Sequence, residues 1–442
     1  MSVEKFTRQF LQADEEGRLE TRESPLAGES GVEGLESRVC CGCSCLCDDI
    51  SYHMRQGQVV RSLNLCEFGR KRLQDASAAR QGADSALTEG LVEDSLDKAA
   101  QILRTHGPVL FVGAEFLDEK AQQASVRLAK AVGGIWVPWA FEAVRRFHQV
   151  ACQRGWAAAL LDDIRDHGEV VIFWRCDPLV THHRHLSRYS FFARGRFTER
   201  GHHDRTLAAV GEKGQRIERL CKQFLDVPPD RDRALAESLR RGRAQEGFEH
   251  RDFEGIRRAC EQSGYIAIFV DPEALDPGTL ETIFFWAAET NQAGGARRVV
   301  ILPLYRTGPN LEGFCQVSTA ACGAPWGADF RDGAGRPVQR DWQDLAARGG
   351  CVFLLYPAGR EESRPLPAAI AGKPSIVLDP FSPSRPDPRG VTIQIELGGF
   401  GAEGVFFRAD GVPLRASGLP GLPRIGLKPA AEVLESLITR ML

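Results

Sequence analysis

Six of the chain's 13 cysteines lie close together, between residues 40 and 66. Four of them, Cys40, Cys43, Cys47 and Cys66, have the spacing C-x2-C-x3-C-x18-C. A hydrophobic core does not need so many thiols in one segment. A cubane iron–sulfur cluster does, because it takes four cysteine thiolates, usually three close together and one distant. The segment therefore predicts a [4Fe–4S] cluster bound by these four residues.

A zinc site with four sulfur ligands is the alternative for this segment. Structural zinc motifs usually consist of two matched C-x2-C pairs, and the second pair is missing here. Cys41 and Cys45 interleave with the four, so a shifted choice of ligands also fits the sequence. The other seven cysteines stand singly, which is typical of small buried hydrophobic residues.

Charge and hydropathy restrict the compartment and the partners. The net charge of −3 and the pI of about 6.4 give no sign of a nucleic-acid-binding surface. No run approaches the ~20 apolar residues that span a bilayer, and the N-terminus lacks the apolar core of a signal sequence. We therefore expect a cytoplasmic protein with neither nucleic acid nor membrane as partner. Thiols stay reduced in the cytoplasm, so clustered cysteines favour metal binding over disulfides.

Four regions are predicted along the chain. Residues 1–36 form a polar extension, with a short helix and a linker. Residues 37–80 form a cysteine-rich [4Fe–4S]-type subdomain, in which 49–63 is a β-hairpin followed by a helix. Residues 81–390 form α/β units, and residues 391–442 hold one strand, a glycine-rich loop and a final helix. The length of 442 residues is compatible with roughly two to four structural units.

The α/β pattern carries the prediction of fold class. Continuous apolar strands alternate with helices from residue 107 onward, which indicates parallel sheets covered on both faces. The fold class is therefore α/β, with several Rossmann-like parallel-sheet units and a small N-terminal cysteine-rich subdomain. Ligands of such sheets bind at the carboxyl ends of the strands. No strand end carries G-x-G-x-x-G and there is no P-loop, so a plain nicotinamide or ATP site is not predicted.

Several motifs in order resemble a known family. The cysteine spacing, with CDDI at 47–50 and NLCEFG at 64–69, is similar to the N-terminal cluster site of molybdopterin and tungstopterin oxidoreductases. Within that superfamily, the segments at 171–201, 313–317 and 402–415 resemble the B subunit of formylmethanofuran dehydrogenase. The resemblance implies a molybdopterin-oxidoreductase-like fold from residue 81 to residue 390.

The chain departs from this family at the positions that face the cofactor. Glu119 stands where redox members place a Cys or Sec ligand, and a carboxylate is a harder ligand than a thiolate. Gly211 and Lys213 replace the Asp and Arg of a V-D-x-R-x-T pattern, and Lys does not form the bidentate fork that Arg makes with phosphate. Arg175 replaces a small glycine. These replacements imply that molybdopterin or tungstopterin is absent.

The resemblance and the departures together imply the B subunit of a formyltransferase/hydrolase complex in tetrahydromethanopterin- and methanofuran-linked one-carbon metabolism. The implied role is structural and redox-silent, in a non-catalytic subunit of an enzyme complex. The implied partners are an amidohydrolase-like A subunit, a formyltransferase-like D subunit and a C subunit. The alternative is a redox-active B subunit of formylmethanofuran dehydrogenase with a tungsto- or molybdopterin, which the four retained cysteines favour. No catalytic or pterin-binding residue is assigned.

A histidine- and arginine-rich run stands apart from these motifs. Three histidines lie between residues 182 and 185, but the H-E-x-x-H pattern and a nearby carboxylate pair are missing, so a metal site is not predicted. Six arginines lie between residues 184 and 205. They fit an emptied anion pocket, a surface for acidic residues of a partner, or an internally paired face. Arg306 and the segment 406–410 receive no catalytic role; the latter is predicted to be a structural turn.

Overall fold

The computed structural model describes residues 33–56, 58–81, 85–244, 251–355, 372–380, 389–396, 398–399, 401–419 and 427–442. Its strands are, in chain order, β1 Glu33–Arg38, β2 Ile50–Arg55, β3 Gln58–Leu63, β4 Val109–Val112, β5 Ile135–Val137, β6 Val170–Trp174, β7 Thr206–Gly211, β8 Gln223–Asp226, β9 Tyr265–Val270, β10 Arg298–Pro303, β11 Ala328–Asp329, β12 Arg336–Pro337, β13 Cys351–Leu354, β14 Ser375–Asp379, β15 Gly390–Gln394, β16 Gly404–Phe407 and β17 Pro413–Ala416.

The α-helices of the described residues are α1 Glu67–Gln81, α2 Ser85–Thr105, α3 Glu119–Ala131, α4 Phe141–Arg154, α5 Leu161–His167, α6 Pro178–Thr181, α7 Asp232–Arg241, α8 Arg251–Gln262, α9 Pro277–Gln292, α10 Leu311–Cys322, α11 Trp342–Arg348 and α12 Ala430–Met441. None of these helices is long and apolar enough to cross a membrane. The final helix has the predicted bounds, and it buries Val433, Leu434 and Leu437 because these residues share one helical face.

Contacts divide the described residues into two compact units. Residues 142–306 form one, which we call the inserted unit. Residues 33–141 and 307–442 form the other, which we call the flanking unit, and the cysteine loop belongs to it. The region 81–390, predicted from the sequence as one α/β stretch, thus contributes to both units.

The inserted unit contains a five-stranded parallel sheet of order β10-β9-β6-β7-β8. The first strand in the chain, β6, is central, and later strands are added first on one side and then on the other. This is the 3-2-1-4-5 order of doubly wound folds, whose ligand crevice lies where the order reverses, between β6 and β9. All five residues of β6 are buried, as a strand covered on both faces requires.

The flanking unit contains a seven-stranded sheet of order β12-β11-β5-β4-β13-β14-β15. Its five strands from β5 to β15 are parallel and have the other doubly wound order, 2-1-3-4-5. The short strands β11 and β12 extend the sheet in antiparallel orientation. The order reverses at β4, so the carboxyl end of this strand is the expected ligand crevice of the unit. The predicted fold class, α/β with several Rossmann-like sheets, is confirmed.

The cysteine segment carries a three-stranded antiparallel sheet of order β1-β2-β3. The predicted hairpin 49–63 and the helix after it are confirmed as β2, β3 and α1. Residues 33–36, predicted as linker, are instead part of β1, which pairs with β2 through Gly34 and His53. Only Leu35 is apolar in EGLESR, so side-chain alternation gives no strand signal and backbone pairing decides the structure. The helix predicted within residues 2–22 lies outside the described residues.

Candidate metal centre

The first three candidate ligands lie in one compact loop between β1 and β2. Its ends are joined because Cys40 N donates a hydrogen bond to Cys47 O at 2.8 Å. Leu46 N donates to Cys43 O at 3.1 Å, and Leu46 has a left-handed φ of 41°. A non-glycine residue in that region is uncommon and marks a tightly constrained turn. The loop therefore fixes the backbone that presents Cys40, Cys43 and Cys47.

The fourth candidate, Cys66, directly precedes helix α1, and the hairpin returns the chain to the loop. Asn64 Nδ2 donates to Asp49 O at 2.9 Å, which joins the two ends of the hairpin. A Cβ atom added at Gly69 would lie 2.7 Å from Cys40 Sγ. The Cys40 sulfur thus lies against the first turn of α1, beside Cys66. The hairpin explains the long third spacing of the motif, because it separates residues in sequence that are adjacent in space.

Burial and mutual repulsion make these thiols hard to ionise without a counter-charge. Cys40 is buried, and burial is the main cause of its raised pKa. Four neighbouring thiols raise that pKa further, in the order Cys66, Cys47, Cys43 and Cys41. Gly42 N donates to Cys40 Sγ at 3.4 Å. Iron would supply the missing positive charge and keep the sulfurs as thiolates, so the donor set fits a cubane cluster in its chemistry.

The two interleaved cysteines differ in their surroundings. A Cβ atom added at Gly399 would lie 2.7 Å from Cys41 Sγ, so Cys41 packs against the glycine-rich loop of the C-terminal region. Burial raises the pKa of Cys41 to about 12 although Arg72 lowers it. Cys45 is hydrogen-bonded to Cys43. Within the described ranges, no three His, Cys, Asp or Glu side chains are placed to hold a metal ion. The ligand set Cys40, Cys43, Cys47 and Cys66 stays a prediction.

The C-terminal motif at 402–415 packs on the cysteine loop. Ala409 N donates to Ser44 O at 3.0 Å, and Gly411 N closes a turn on Arg408 O at 2.8 Å. Inside the turn, the buried Arg408 guanidinium donates to both carboxylate oxygens of Asp410, at 2.8 and 2.7 Å. These bonds give the segment a structural role, because its charged groups satisfy each other while its backbone supports the loop.

Glu119, which the sequence resemblance aligns with a metal ligand of the resembled family, is the first residue of α3. Its side chain is half-buried and accepts a hydrogen bond from Gln123 Nε2 at 3.0 Å. This is an ordinary (i, i+4) pair on a helix surface. Nothing in these contacts orients the carboxylate toward a metal.

Glu115, four residues earlier, is the functional candidate that sequence reasoning missed. It follows β4 at the switch point of the flanking unit and is fully buried. Its Oε1 accepts from Trp139 N at 2.8 Å and from Thr307 Oγ1 at 3.0 Å. Its Oε2 and the indole Nε1 of Trp139 have no hydrogen-bond partner among the described residues. Burial raises the pKa of Glu115 to about 7. The sequence signal for it was a carboxylate three residues after the last residue of the apolar strand β4.

Arg175 follows β6 at the switch point of the inserted unit. It has a φ of 58°, a conformation that favours glycine. Its guanidinium is buried and donates to Asp232 through Nε at 2.7 Å and Nη2 at 3.0 Å. Nη2 also donates to Val227 O at 2.5 Å, and Trp174 Nε1 donates to Asp232 Oδ1 at 3.1 Å. Arg175 is thus neutralised inside the unit by a bidentate ion pair.

The loop after β7 is altered in a related way. A Cβ atom added at Gly211 would meet Gln215 Oε1 at 2.5 Å, so the Gln215 amide occupies the space of the missing side chain. Lys213 points to solvent, 75% exposed, and its Nζ lies 3.4 Å from Asp226 Oδ2. An exposed ammonium with a neighbouring carboxylate is weakly held. The loop therefore lacks a fixed donor for a phosphate.

The histidine- and arginine-rich run is mostly paired internally. Burial lowers the pKa of His182 to about 4 and that of His185 well below its usual value. His185 Nδ1 lies 3.0 Å from Ser190 Oγ. Arg205 is buried among backbone carbonyls, and Arg200 pairs with Asp204. Arg205 is therefore structural, and the emptied anion pocket is wrong for this residue.

Two doubly wound sheets and a cysteine loop held against the first turn of a helix define this chain as a multi-sheet α/β protein with a cysteine-rich N-terminal subdomain. No protein-family model matches the sequence. The chain is 26% identical to the B subunit of tungsten-containing formylmethanofuran dehydrogenase 2 from Methanocaldococcus jannaschii, over 441 residues that cover 93% of this chain and 99% of that protein. The same subunit from Methanococcus maripaludis is 26% identical over 440 residues, with the same coverage.

A solved structure shares the fold. The formyltransferase/hydrolase complex (FhcABCD) from Methylorubrum extorquens, solved in complex with methylofuran, contains a chain that matches with a TM-score of 0.64 and 17% identity. The match covers 79% of this chain and 96% of that one. The predicted resemblance to the B subunit of formylmethanofuran dehydrogenase and to the complex is confirmed.

Proposed function

We propose that this chain is the B subunit of a formyltransferase/hydrolase complex in one-carbon metabolism, with a structural and redox-silent role. The relatives that align with 93% of the chain are B subunits of formylmethanofuran dehydrogenase, and the fold is that of a chain in a formyltransferase/hydrolase complex. By analogy, its partners are an amidohydrolase-like A subunit, a C subunit and a formyltransferase-like D subunit. The C1 carrier is of the methanofuran type.

The buried Arg175–Asp232 pair carries the redox-silent part of this proposal. Glycine at this strand end would allow a cofactor to approach the backbone closely, and Arg175 keeps the glycine-like φ while adding a long side chain. Freeing that side chain would leave Asp232 as a buried, unpaired charge, which is costly. This buried pair is the observation that supports a strand end altered from the family pattern, and with it a subunit that holds no pterin nucleotide.

The altered loop after β7 and Glu119 support the same proposal. The Gln215 amide lies where a side chain at position 211 would begin, and Lys213 lies in solvent. The Glu119 carboxylate accepts a hydrogen bond from Gln123 of its own helix.

The cysteine loop would hold a [4Fe–4S] cluster through Cys40, Cys43, Cys47 and Cys66. Such a cluster supplies electron transfer in redox enzymes, and its binding also adds folding free energy when the site forms only in the folded state. Here the chain's own residues close the loop, place it on α1 and join it to the C-terminal turn through Ser44. Cluster binding would thus stabilise the contact between the cysteine loop and the C-terminal turn of the flanking unit.

Elemental analysis of the purified complex tests the proposed function. We expect iron and acid-labile sulfide together with formyltransferase activity, and no stoichiometric tungsten, molybdenum or pterin. Stoichiometric tungsten or molybdenum with extractable pterin would establish the alternative, a redox-active formylmethanofuran dehydrogenase subunit. The four closely spaced cysteines are the feature that favours this alternative, because a [4Fe–4S] cluster can carry electrons.

Two cysteine variants of the full complex test the ligand set. Cys66→Ser is expected to remove the visible absorption of the cluster and most of the iron, because a distant fourth thiolate is lost. Cys41→Ser is the matched control, and it is expected to keep both, because Cys41 packs against Gly399. Iron and sulfide assays with absorption spectra give the result. Equal iron loss in both variants would contradict the assignment, and a colourless, iron-free wild type would refute the cluster.

A further inference from the structure

An exposed aromatic stack lies on the inserted unit at the amino-terminal end of its sheet. The Phe197 side chain is 63% exposed and its ring stacks on His167, with centroids 4.6 Å apart and planes at 25°. His167 stacks in turn on Tyr265, at 5.9 Å and 22°. The three rings run along an open groove of about 560 Å³ that is also lined by Asp163, Glu169 and Arg298. Phe197 thus ends the stack with one face in water.

The loop that carries Phe197 is fixed from within by Arg205, which is buried. The acceptors of its guanidinium are Gly168 O and Phe191 O, each at 2.9 Å, together with Ala193 O, Arg165 O and Thr198 Oγ1. A Cβ atom added at Gly195 would lie 2.0 Å from Arg165 O, so this loop approaches helix α5 as closely as only glycine allows. Phe197 N also donates to Asp166 O at 3.0 Å. Phe197 is therefore held outward before any partner binds, which lowers the entropy lost on binding.

Two exposed arginines flank this ring. The Arg196 guanidinium lies 5.4 Å from the Phe197 centroid, and Arg194 is exposed two residues earlier. In the described part of the chain neither forms a salt bridge, whereas the nearby Arg200 pairs with Asp204. With the exposed Glu199, the tip of the loop carries one net positive charge. Neither guanidinium is neutralised by a carboxylate of the described residues, so both charges are available to an acidic side chain of another molecule.

We propose that Arg194, Arg196 and Phe197, at the tip of this loop, form the docking surface for another subunit of the complex. The contacting segment of that subunit presents an apolar side chain to the face of Phe197 and an acidic side chain to the arginines. Rigid aromatic residues and arginines are the side chains that most often dominate binding energy at protein interfaces. The proposal rests on the proposed function, in which this chain acts inside a multi-subunit complex.

Reassembly of the purified full-length chain with the other purified subunits tests this surface. Phe197→Ser is expected to raise the dissociation constant by about 30-fold, the loss typical of an interface hot spot. The double variant R194E/R196E is expected to weaken binding at low salt and to reverse the salt dependence of the wild type, because salt then screens a repulsion. Phe285→Ser is the matched control. Phe285 is an exposed Phe of the same unit with an arginine, Arg154, over its ring, but Arg154 is already paired with Glu281.

The outcomes distinguish failure of the proposed docking surface from failure of the proposed function. Unchanged assembly of Phe197→Ser, or equal weakening by Phe285→Ser, would overturn the docking surface alone. A wild-type chain that binds none of the other subunits would overturn the proposed function. Self-association of the isolated chain that depends on Phe197, seen by sedimentation, would show that the occupant is a second copy. A photo-crosslinker at position 194 is expected to capture a partner peptide with Asp or Glu beside the linked residue; a peptide without either would refute the acidic partner.

Discussion

Arg175→Ala is expected to destabilise the chain by about 3–5 kcal/mol, the cost of breaking a buried ion pair and leaving one charge behind. Both side chains of the pair are almost fully buried, at 5% and 3% exposure for Arg175 and Asp232. The loss also removes the bond to Val227 O. Urea unfolding followed by tryptophan fluorescence measures the change. Arg258→Ala is the control, because Arg258 is 69% exposed and its pair with Glu254 at 3.9 Å is screened by solvent, so we expect no measurable loss.

Two further variants separate the ion pair from backbone strain. Arg175→Gly should be about 1 kcal/mol more stable than Arg175→Ala, because glycine adopts the φ of 58° without a Cβ penalty. The double variant R175M/D232L should be more stable than either single change, because it removes both charges. A stability of Arg175→Ala within about 1 kcal/mol of wild type, or an Arg175→Gly variant less stable than Arg175→Ala, would contradict this account. If glycine at this position also restores pterin binding, the crevice is closed by this side chain alone.

Glu115→Gln is expected to change how stability depends on pH. The carboxyl has a pKa of about 7 in the folded chain against 4.5 unfolded, so the folded state binds more protons between these values. The stability linked to this proton is fully present below pH 4.5 and is lost as pH rises through about 7. Above that pH the ionised, buried Glu115 costs about 3 kcal/mol relative to its protonated form.

The glutamine variant therefore gains stability relative to wild type as pH rises from 5 to 8. Its buried amide also needs hydrogen-bond partners, and this cost is the same at every pH. Unfolding free energies measured across this range give the difference. Glu119→Gln is the matched control, since Glu119 lies on the next helix with a half-exposed, hydrogen-bonded side chain, and we expect it to keep the wild-type profile. Parallel profiles for wild type and Glu115→Gln would show that Glu115 does not titrate in this range.

Local periodicity was enough to predict much of this fold. Apolar runs such as VVIFW and YIAIFV are strands because a fully buried parallel strand needs apolar residues on both faces. The helix Ala430–Met441 follows from its apolar stripe. Strand β1 was not predicted, because it is held by backbone hydrogen bonds to β2 and its side chains do not alternate between apolar and polar. The two-unit division was not visible either, since it depends on which distant segments share a core.

The candidate site divides in the same way. The amino-acid sequence was enough to predict the cysteine ligand set and its alternatives, because thiol spacing is a local property. The altered positions Glu119, Arg175 and Gly211 followed from the resemblance to the family. The contact of Cys41 with Gly399 and the place of Cys40 against the first turn of α1 became visible in the folded chain, because they join segments that are distant in sequence.

The structure also decided which charged residues are buried. Arg175 meets Asp232 across 57 residues, and Glu115 meets Thr307 across 192. Within one basic run, Arg205 is enclosed by carbonyls while Arg196 stays in water. The physical reason is that the energy of a charge depends on its desolvation and its partners. Both are set by contacts between residues far apart in the chain, which the local sequence does not encode.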